Sequence, residues 1–147
     1  MGTNWPGLIG LRTCERDQQA QRVAVASRML QQRDAACEAA RQRLQQALNE
    51  ARAQGANGVV EVRQLAAQRV HVAQLLEQLE ARQREQAAAY QVWNDEQARL
   101  VTAEQRLEQL ERLWQQQQAA AAAQAARRQQ HELEEVWQAT RGIHRAA

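Results

Sequence analysis

Residues 22–58, RVAVASRMLQQRDAACEAARQRLQQALNEARAQGANG, decide the fold of this chain. Mostly small or apolar residues recur in this stretch at alternating intervals of three and four, at Val23, Ala26, Leu30, Arg33, Cys37, Ala40, Leu44, Ala47 and Ala51. Such spacing is the a/d seam of a left-handed coiled coil. The stretch ends in Gln54-Gly55-Ala56-Asn57-Gly58, where the glycines and the Asn-Gly pair predict a turn. We therefore expect a long helix that ends in a short turn.

A second seam follows the turn. It runs through Val62, Leu65, Arg69, Val72, Leu76 and Leu79 and continues, after Tyr90 and Trp93, at Leu100, Ala103, Leu107, Leu110 and Trp114. Because the turn between the two seams is short, the helices should fold back on each other. The sequence predicts an all-α fold in which two long helices form an antiparallel coiled-coil hairpin, with the second helix longer.

The predicted boundaries follow from the helix-breaking residues. Pro6-Gly7 should delay the first helix to Leu8, and Gly142 should end the second. We predict an N-terminal tail over 1–7, helix 1 over 8–54, a turn over 55–58, helix 2 over 59–141 and a C-terminal tail over 142–147.

Composition limits the classes of function. The 147 residues include 30 Ala, 27 Gln and 19 Arg, with no Phe and no Lys, and mean hydropathy is −0.74. These are helix-favouring residues, but they supply too few large side chains for a compact core or for the walls of an enzyme pocket. We expect no enzyme and no cofactor. The formal net charge of +2 is spread along the chain, so no nucleic-acid partner is expected either.

No metal or catalytic site is predicted. His131-Glu132-Leu133-Glu134-Glu135 lacks the second histidine that a zinc-binding helix needs. Cys14 and Cys37 are separated by roughly 34 Å on one helix, too far to form a disulfide, and this fits a reducing compartment. The first residues do not resemble a signal peptide and no long apolar run follows, so we expect a cytosolic protein.

The hairpin geometry predicts an overhang. With the turn near Ala56, facing residues have numbers that add to about 112, so the chain after roughly residue 105 has no partner within the molecule. This overhang still carries large apolar residues, namely Leu107, Leu110, Leu113, Trp114, Leu133, Val136 and Trp137. An apolar stripe of this size is normally covered by another chain. We predict that these residues form a docking surface; the alternatives are that the arm folds back or self-dimerises.

Three features resemble the FliJ/YscO (SctO) family of flagellar and type III secretion export apparatus. They are the opening LIGLRTCERDQQA at residues 8–20, the Asn/Gly turn after about fifty residues, and the long C-terminal helix. That helix contains YQVW at 90–93 and LEQLERLW at 107–114, and it closes with ELEEV at 132–136. The resemblance covers nearly the whole chain.

This resemblance implies a function. Family members form a two-helix coiled coil similar to the central stalk of rotary ATPases, insert into the hexameric export ATPase, promote its assembly and activity, and link it to the export gate protein. Some members bind export chaperones. The expected location is the cytoplasmic side of the inner-membrane secretion apparatus, reached through partners only. Two other classes stay open: a coiled-coil tether that does not stimulate ATP hydrolysis, and a homo-oligomeric scaffold.

Overall fold

The fold consists of two long helices. A computed structural model of the chain describes residues 2–56, 58 and 61–146. Helix α1 spans Trp5–Ala56 (52 residues) and helix α2 spans Val62–Ala146 (85 residues). The described part of the chain contains no β-strand. The predicted all-α fold with a longer second helix is confirmed.

The start of α1 lies three residues before the predicted position. The side-chain oxygen of Asn4 accepts a hydrogen bond from the backbone N–H of Gly7 (3.2 Å), and the Asn4 carbonyl accepts one from Leu8 (3.1 Å). Asn4 is therefore the N-cap. Pro6 is tolerated in the first turn, because N–H groups there have no partner within the helix. The structure thus places residues 5–7 in the helix rather than in a tail.

The other helix ends also differ from the prediction. Gly55 and Ala56 still belong to α1, and α2 begins at Val62 rather than at residue 59. Gly58 has a φ of 78°, a left-handed conformation that glycine adopts without strain; Asn57, the other half of the predicted Asn-Gly turn, lies outside the described residues. At the far end α2 continues through Gly142 to Ala146, since one glycine costs a helix only about 1 kcal/mol.

The chain divides into two compact units, Arg16–Thr102 and a second unit of Met1–Glu15 with Ala103–Ala147. In the first, which we call the hairpin unit, four pairs of side chains join α1 to α2, one of them Gln19 with Glu96. Arg33 donates to Glu85 (3.2 Å), Gln86 donates to Asp34 (2.7 Å), and Gln68 donates to Gln54. Residues later in α1 thus pair with residues earlier in α2, so the helices are antiparallel, as predicted.

The α1 seam is confirmed at all nine predicted positions. Ala26, Cys37, Ala40 and Ala47 are buried, and the other five are partly buried. Cys37, at 0% exposure, forms a small core with Ala40 and Leu79, and Leu44 packs against it. Since most of these side chains are small, each layer of the seam buries little apolar area and adds little stability.

The early part of the α2 seam has a different phase from the predicted one. Val72 and Leu79 are covered, but Leu75 is buried (8% exposed) while Leu76 is 46% exposed. Both leucines satisfy a three–four spacing between Val72 and Leu79, so spacing alone does not choose between them. The predicted seam residues Val62, Leu65 and Arg69 are exposed as well. From Trp93 to Trp114 the predicted positions are covered again, whereas Tyr90 is 55% exposed.

Candidate partner-binding surface on the C-terminal arm

The second unit covers part of the predicted docking surface. In this unit Leu107 is only 5% exposed, and Leu110 and Trp114 are partly buried. Trp5 and Ile9, from the N-terminal segment of the same unit, are partly buried too. We expected the chain after residue 105 to have no partner within the molecule. That expectation is wrong for Leu107, Leu110 and Trp114.

Two physical causes explain this correction. Helix α1 begins earlier than predicted, which lengthens the segment able to cover α2. The register also differs: Gln19 donates to the Glu96 carbonyl (3.0 Å) and Arg33 to Glu85, pairs whose numbers add to 115 and 118 rather than about 112. Each change moves the start of the overhang further along α2.

The remaining predicted residues are exposed. Leu113 is 52% exposed, and Leu133, Val136 and Trp137 are 70%, 64% and 61% exposed. Every side chain from 115 to 145 is exposed, and we call this segment the C-terminal arm. Ile143, at 72%, belongs to the same apolar set; the sequence analysis missed it because the helix was expected to end before it.

The apolar stripe of the arm partly overlaps the side of α2 that carries the seam of its own unit. The covered residues Ala103, Leu107, Leu110 and Trp114 follow one another at intervals of four, three and four. At about 100° per residue, Val136 and Ile143 lie within about 20° of Leu107 around the helix axis. Leu133 and Trp137 lie about 80° and about 120° to one side of Leu107. The arm stripe is therefore broader than the seam and includes its continuation.

Two local contacts join side chains on the arm. The Arg141 guanidinium carbon lies 4.6 Å from the centre of the Trp137 ring, a cation–π contact. His131 Nε2 lies 3.1 Å from a Glu135 carboxylate oxygen, one helical turn away. Arg141 shields part of one ring face, while the ring as a whole stays accessible to a partner.

A second apolar surface lies in the hairpin unit and was missed by the sequence analysis. It is a groove of about 840 Å³, with Val25, Met29 and Val92 among its lining residues. These three side chains are 42–53% exposed. The Arg33–Glu85 ion pair lies in the groove wall. Val25 and Met29 are four residues apart and lie beside the α1 seam. This spacing indicates a second apolar face on α1, whereas only one seam was expected there.

Electrostatics in the hairpin unit centre on Glu85. Arg82 donates hydrogen bonds to both of its carboxylate oxygens (3.1 and 2.9 Å) and Arg33 to one (3.2 Å). The hydrogen bond from Arg82 and the positive charges of Arg82 and Arg33 lower the pKa of Glu85, against a smaller opposing effect of burial. Glu85 thus links the two helices as an anion.

Within the described residues no three histidine, cysteine or acidic side chains come together in a way that could hold a metal ion. Neither described helix has a stretch apolar and long enough to cross a membrane. Scans against models of protein families, curated proteins and solved structures found no match to this chain.

Proposed function

We propose that this protein is the non-enzymatic central stalk component of a type III secretion export apparatus. Its hairpin would serve as the rigid body of the stalk, and its C-terminal arm would dock on the hexameric export ATPase. In this role it promotes assembly and activity of the ATPase and links it to the export gate protein. It reaches the inner membrane only through these partners, and the export chaperones are further candidates for binding.

One observation supports this role above the others: the arm is a continuous helix whose apolar residues are uncovered. Leu133, Val136 and Trp137 are each more than three-fifths exposed. Uncovered aromatic and aliphatic side chains on one face are typical of helices that insert into a groove of a partner. The resemblance of the sequence to FliJ/YscO proteins names the partner.

The revised register narrows the proposed contact surface. Leu107 is buried within the chain, so it supports the fold of the second unit rather than contacting the ATPase. Leu110 and Trp114 are partly buried, so they lie at most at the edge of the surface proposed to contact the ATPase. The proposed docking residues are therefore Leu113, Leu133, Val136 and Trp137, joined by Ile143.

Binding to the purified cognate export ATPase tests this surface directly. We expect the double substitution Leu133→Gln, Trp137→Gln in the full-length protein to weaken binding at least about tenfold, because buried Trp and Leu anchors carry most of the energy of an interface. Glutamine keeps the helix propensity of the arm. The matched control, Arg127→Gln with Arg128→Gln, changes the opposite face and should bind within about threefold of the wild type. Equal binding by both double variants would contradict the proposed surface.

A tether would use the same coiled coil to hold two complexes apart. Unlike the stalk, it would bind the ATPase without changing the rate of ATP hydrolysis. A homo-oligomeric scaffold would not bind the ATPase at all. Measuring binding and hydrolysis together therefore separates the three roles.

A further inference from the structure

The apolar groove of the hairpin unit is long enough to hold one further helix. On α1 its lining extends from Gln18 to Arg33, which is about 22 Å along the helix axis. Val25 and Met29 of α1 and Val92 of α2 are among the lining residues. A groove along two packed helices is where a third helix lies in a helical bundle. The shape of the groove therefore favours a helix as its occupant.

The large apolar side chains of the groove are left uncovered by the hairpin itself. Val25, Met29 and Val92 are each about half exposed. Ala26 and Trp93, the next residues after Val25 and Val92, belong to the seam and are covered where α1 and α2 meet. An apolar patch that two helices build together and leave open to water marks a surface for a partner.

The acidic side chains at the groove already have partners within the protein. Glu85 and Glu96 are the two acidic residues of the lining. Each of these carboxylates, and that of Asp95 beside Glu96, accepts hydrogen bonds from arginine or glutamine side chains: Glu85 from Arg33 and Arg82, Glu96 from Arg99 and Gln19, and Asp95 from Gln91. The negative charge at the groove is therefore already compensated.

Three arginines at the groove lack a carboxylate partner. Arg22 lies in the lining itself. Arg28 is seven residues after Gln21 and Arg84 is four residues before Ala88, so each lies on the same side of its helix as a lining residue. All three are exposed, and none forms an ion pair within the described residues. We call them the rim arginines; they leave an uncompensated positive charge on both walls of the groove.

The apolar lining and the rim arginines together define the complementary partner. It is an amphipathic helix whose aliphatic side chains, spaced by three and four residues, pack against the apolar lining. Acidic residues on both edges of that helix would form charge-assisted hydrogen bonds with the rim arginines. A helix with basic edges would instead place like charges against each other, which opposes association.

We propose that this groove is a docking site for an acidic amphipathic helix of a partner protein, which completes a three-helix bundle with α1 and α2. The apolar lining supplies the buried contact, and the rim arginines select a helix with acidic edges. The site lies in the hairpin unit and not on the C-terminal arm, and the inference does not depend on the proposed function.

Binding of a synthetic helical peptide to the full-length protein tests the site. The probe has about 18 residues, enough to span the groove, with leucines spaced by three and four, glutamates beside the leucines, and alanine and glutamine elsewhere. Fluorescence anisotropy of the labelled peptide should give a dissociation constant on the order of 50 μM, because one short helix buries a modest area. The same peptide with lysine in place of glutamate should bind at least about tenfold more weakly.

Two results with these peptides would overturn the proposal. One is the absence of binding by the glutamate peptide at about 500 μM protein, a concentration tenfold above the expected constant. The other is equal binding of the glutamate and lysine peptides, which would show that the rim arginines select nothing.

Substitutions in the apolar lining locate the bound peptide. Val25→Gln with Met29→Gln should weaken binding of the glutamate peptide at least about fivefold. Both residues are exposed, so the variant should stay folded, which circular dichroism checks. The matched control, Val70→Gln with Leu76→Gln, removes two exposed apolar side chains of α2 outside the groove and should bind within about twofold of the wild type. Equal loss of binding in both double variants would contradict the site.

Substitutions of the rim arginines test the charge selection. Arg22→Gln with Arg84→Gln should weaken binding of the glutamate peptide at least about threefold and make it less sensitive to salt. Arg52→Gln with Arg63→Gln removes the same charge from two exposed arginines outside the groove and should leave the affinity and its salt dependence unchanged. Identical salt dependence in the two variants would contradict the role of the rim arginines.

A second copy of this chain is the competing occupant. Sedimentation equilibrium of the full-length protein distinguishes it, since the wild type and Val25→Gln/Met29→Gln should then show the same mass under our proposal. A wild-type dimer that this double substitution dissociates would show that another copy fills the groove, and it would contradict docking of an acidic partner helix.

Discussion

Arg33 Nη1 lies 3.2 Å from Glu85 Oε2, so a position in the α1 seam joins the two helices through an ion pair instead of an apolar contact. Both side chains are more than one-third exposed. A pair this accessible to water contributes little to stability on its own. The pair instead helps to fix the register of α1 against α2, because the contact between Arg33 and Glu85 is lost when either helix slides along the other.

The pH dependence of folding should reflect Glu85. Since its pKa is lowered in the folded hairpin, ionised Glu85 stabilises the fold above its unfolded pKa, and this contribution is lost as pH falls through the folded pKa. We therefore expect Glu85→Gln to lower the melting temperature at pH 7 and to have a shrinking effect below about pH 4.5.

Thermal unfolding followed by circular dichroism at several pH values between 3 and 7 measures this. Glu77→Gln, an exposed acid on the same helix, is the control for loss of a charge. A melting difference between wild type and Glu85→Gln that stays constant down to pH 3 would show that the Glu85 carboxylate does not act as described.

The phase of the α2 seam gives a prediction with an internal control. Leu75 is buried and its neighbour Leu76 is 46% exposed. Leu75→Ala should destabilise the hairpin by about 2 kcal/mol or more, through lost burial and the cavity it leaves. Leu76→Ala should cost less than about 1 kcal/mol. Urea unfolding measures the stability of the two variants. A larger loss of stability for Leu76→Ala than for Leu75→Ala would contradict the observed phase and support the seam predicted from the sequence.

The two cysteines should differ sharply in reactivity. Cys14 is exposed, whereas Cys37 lies at 0% exposure between the helices. A thiol reagent should modify one cysteine rapidly in the native protein and the second only when the hairpin opens or unfolds. Cys14→Ser should abolish the rapid phase. A rapid phase that persists in this variant would show that Cys37 is not enclosed.

The start of α1 depends on a single cap. Removing the Asn4 side chain leaves the Gly7 N–H without its acceptor, so Asn4→Ala should destabilise the first turn by about 1 kcal/mol. Hydrogen exchange of the Leu8 amide, which bonds to the Asn4 carbonyl, should become faster, while Thr3→Ala should leave it unchanged. Equal exchange rates in Asn4→Ala and the wild type would mean that the cap is not formed.

The sequence predicted the hairpin because its seam is long and regular. Nine consecutive positions from Val23 to Ala51 share one spacing, and each is covered in the structure. A pattern of this length is compatible with only one buried face of the helix. In α2 the adjacent leucines Leu75 and Leu76 fit the spacing equally, and only the packing of the two helices, which buries Leu75 and leaves Leu76 exposed, decides between them.

The extent of the candidate surface was less predictable. It depends on where α1 begins and on the register of the hairpin. Both are determined by side-chain hydrogen bonds and ion pairs, which the spacing of apolar residues along the sequence does not reveal. The Asn4 cap lengthens α1, and the Gln19–Glu96 and Arg33–Glu85 contacts shift the register. Leu107 is consequently buried within the second unit, whereas Leu133, Val136 and Trp137 are exposed, as predicted for the overhang.

The central claim concerns what the arm does for its partner. Steady-state ATP hydrolysis by the cognate export ATPase, titrated with this protein, measures it most directly. We predict a saturable stimulation by the wild type and by Arg127→Gln/Arg128→Gln, and little or none by Leu133→Gln/Trp137→Gln at the same concentrations. Hydrolysis that stays at its basal rate with the wild-type protein, or that is stimulated equally by all three proteins, would contradict the claim.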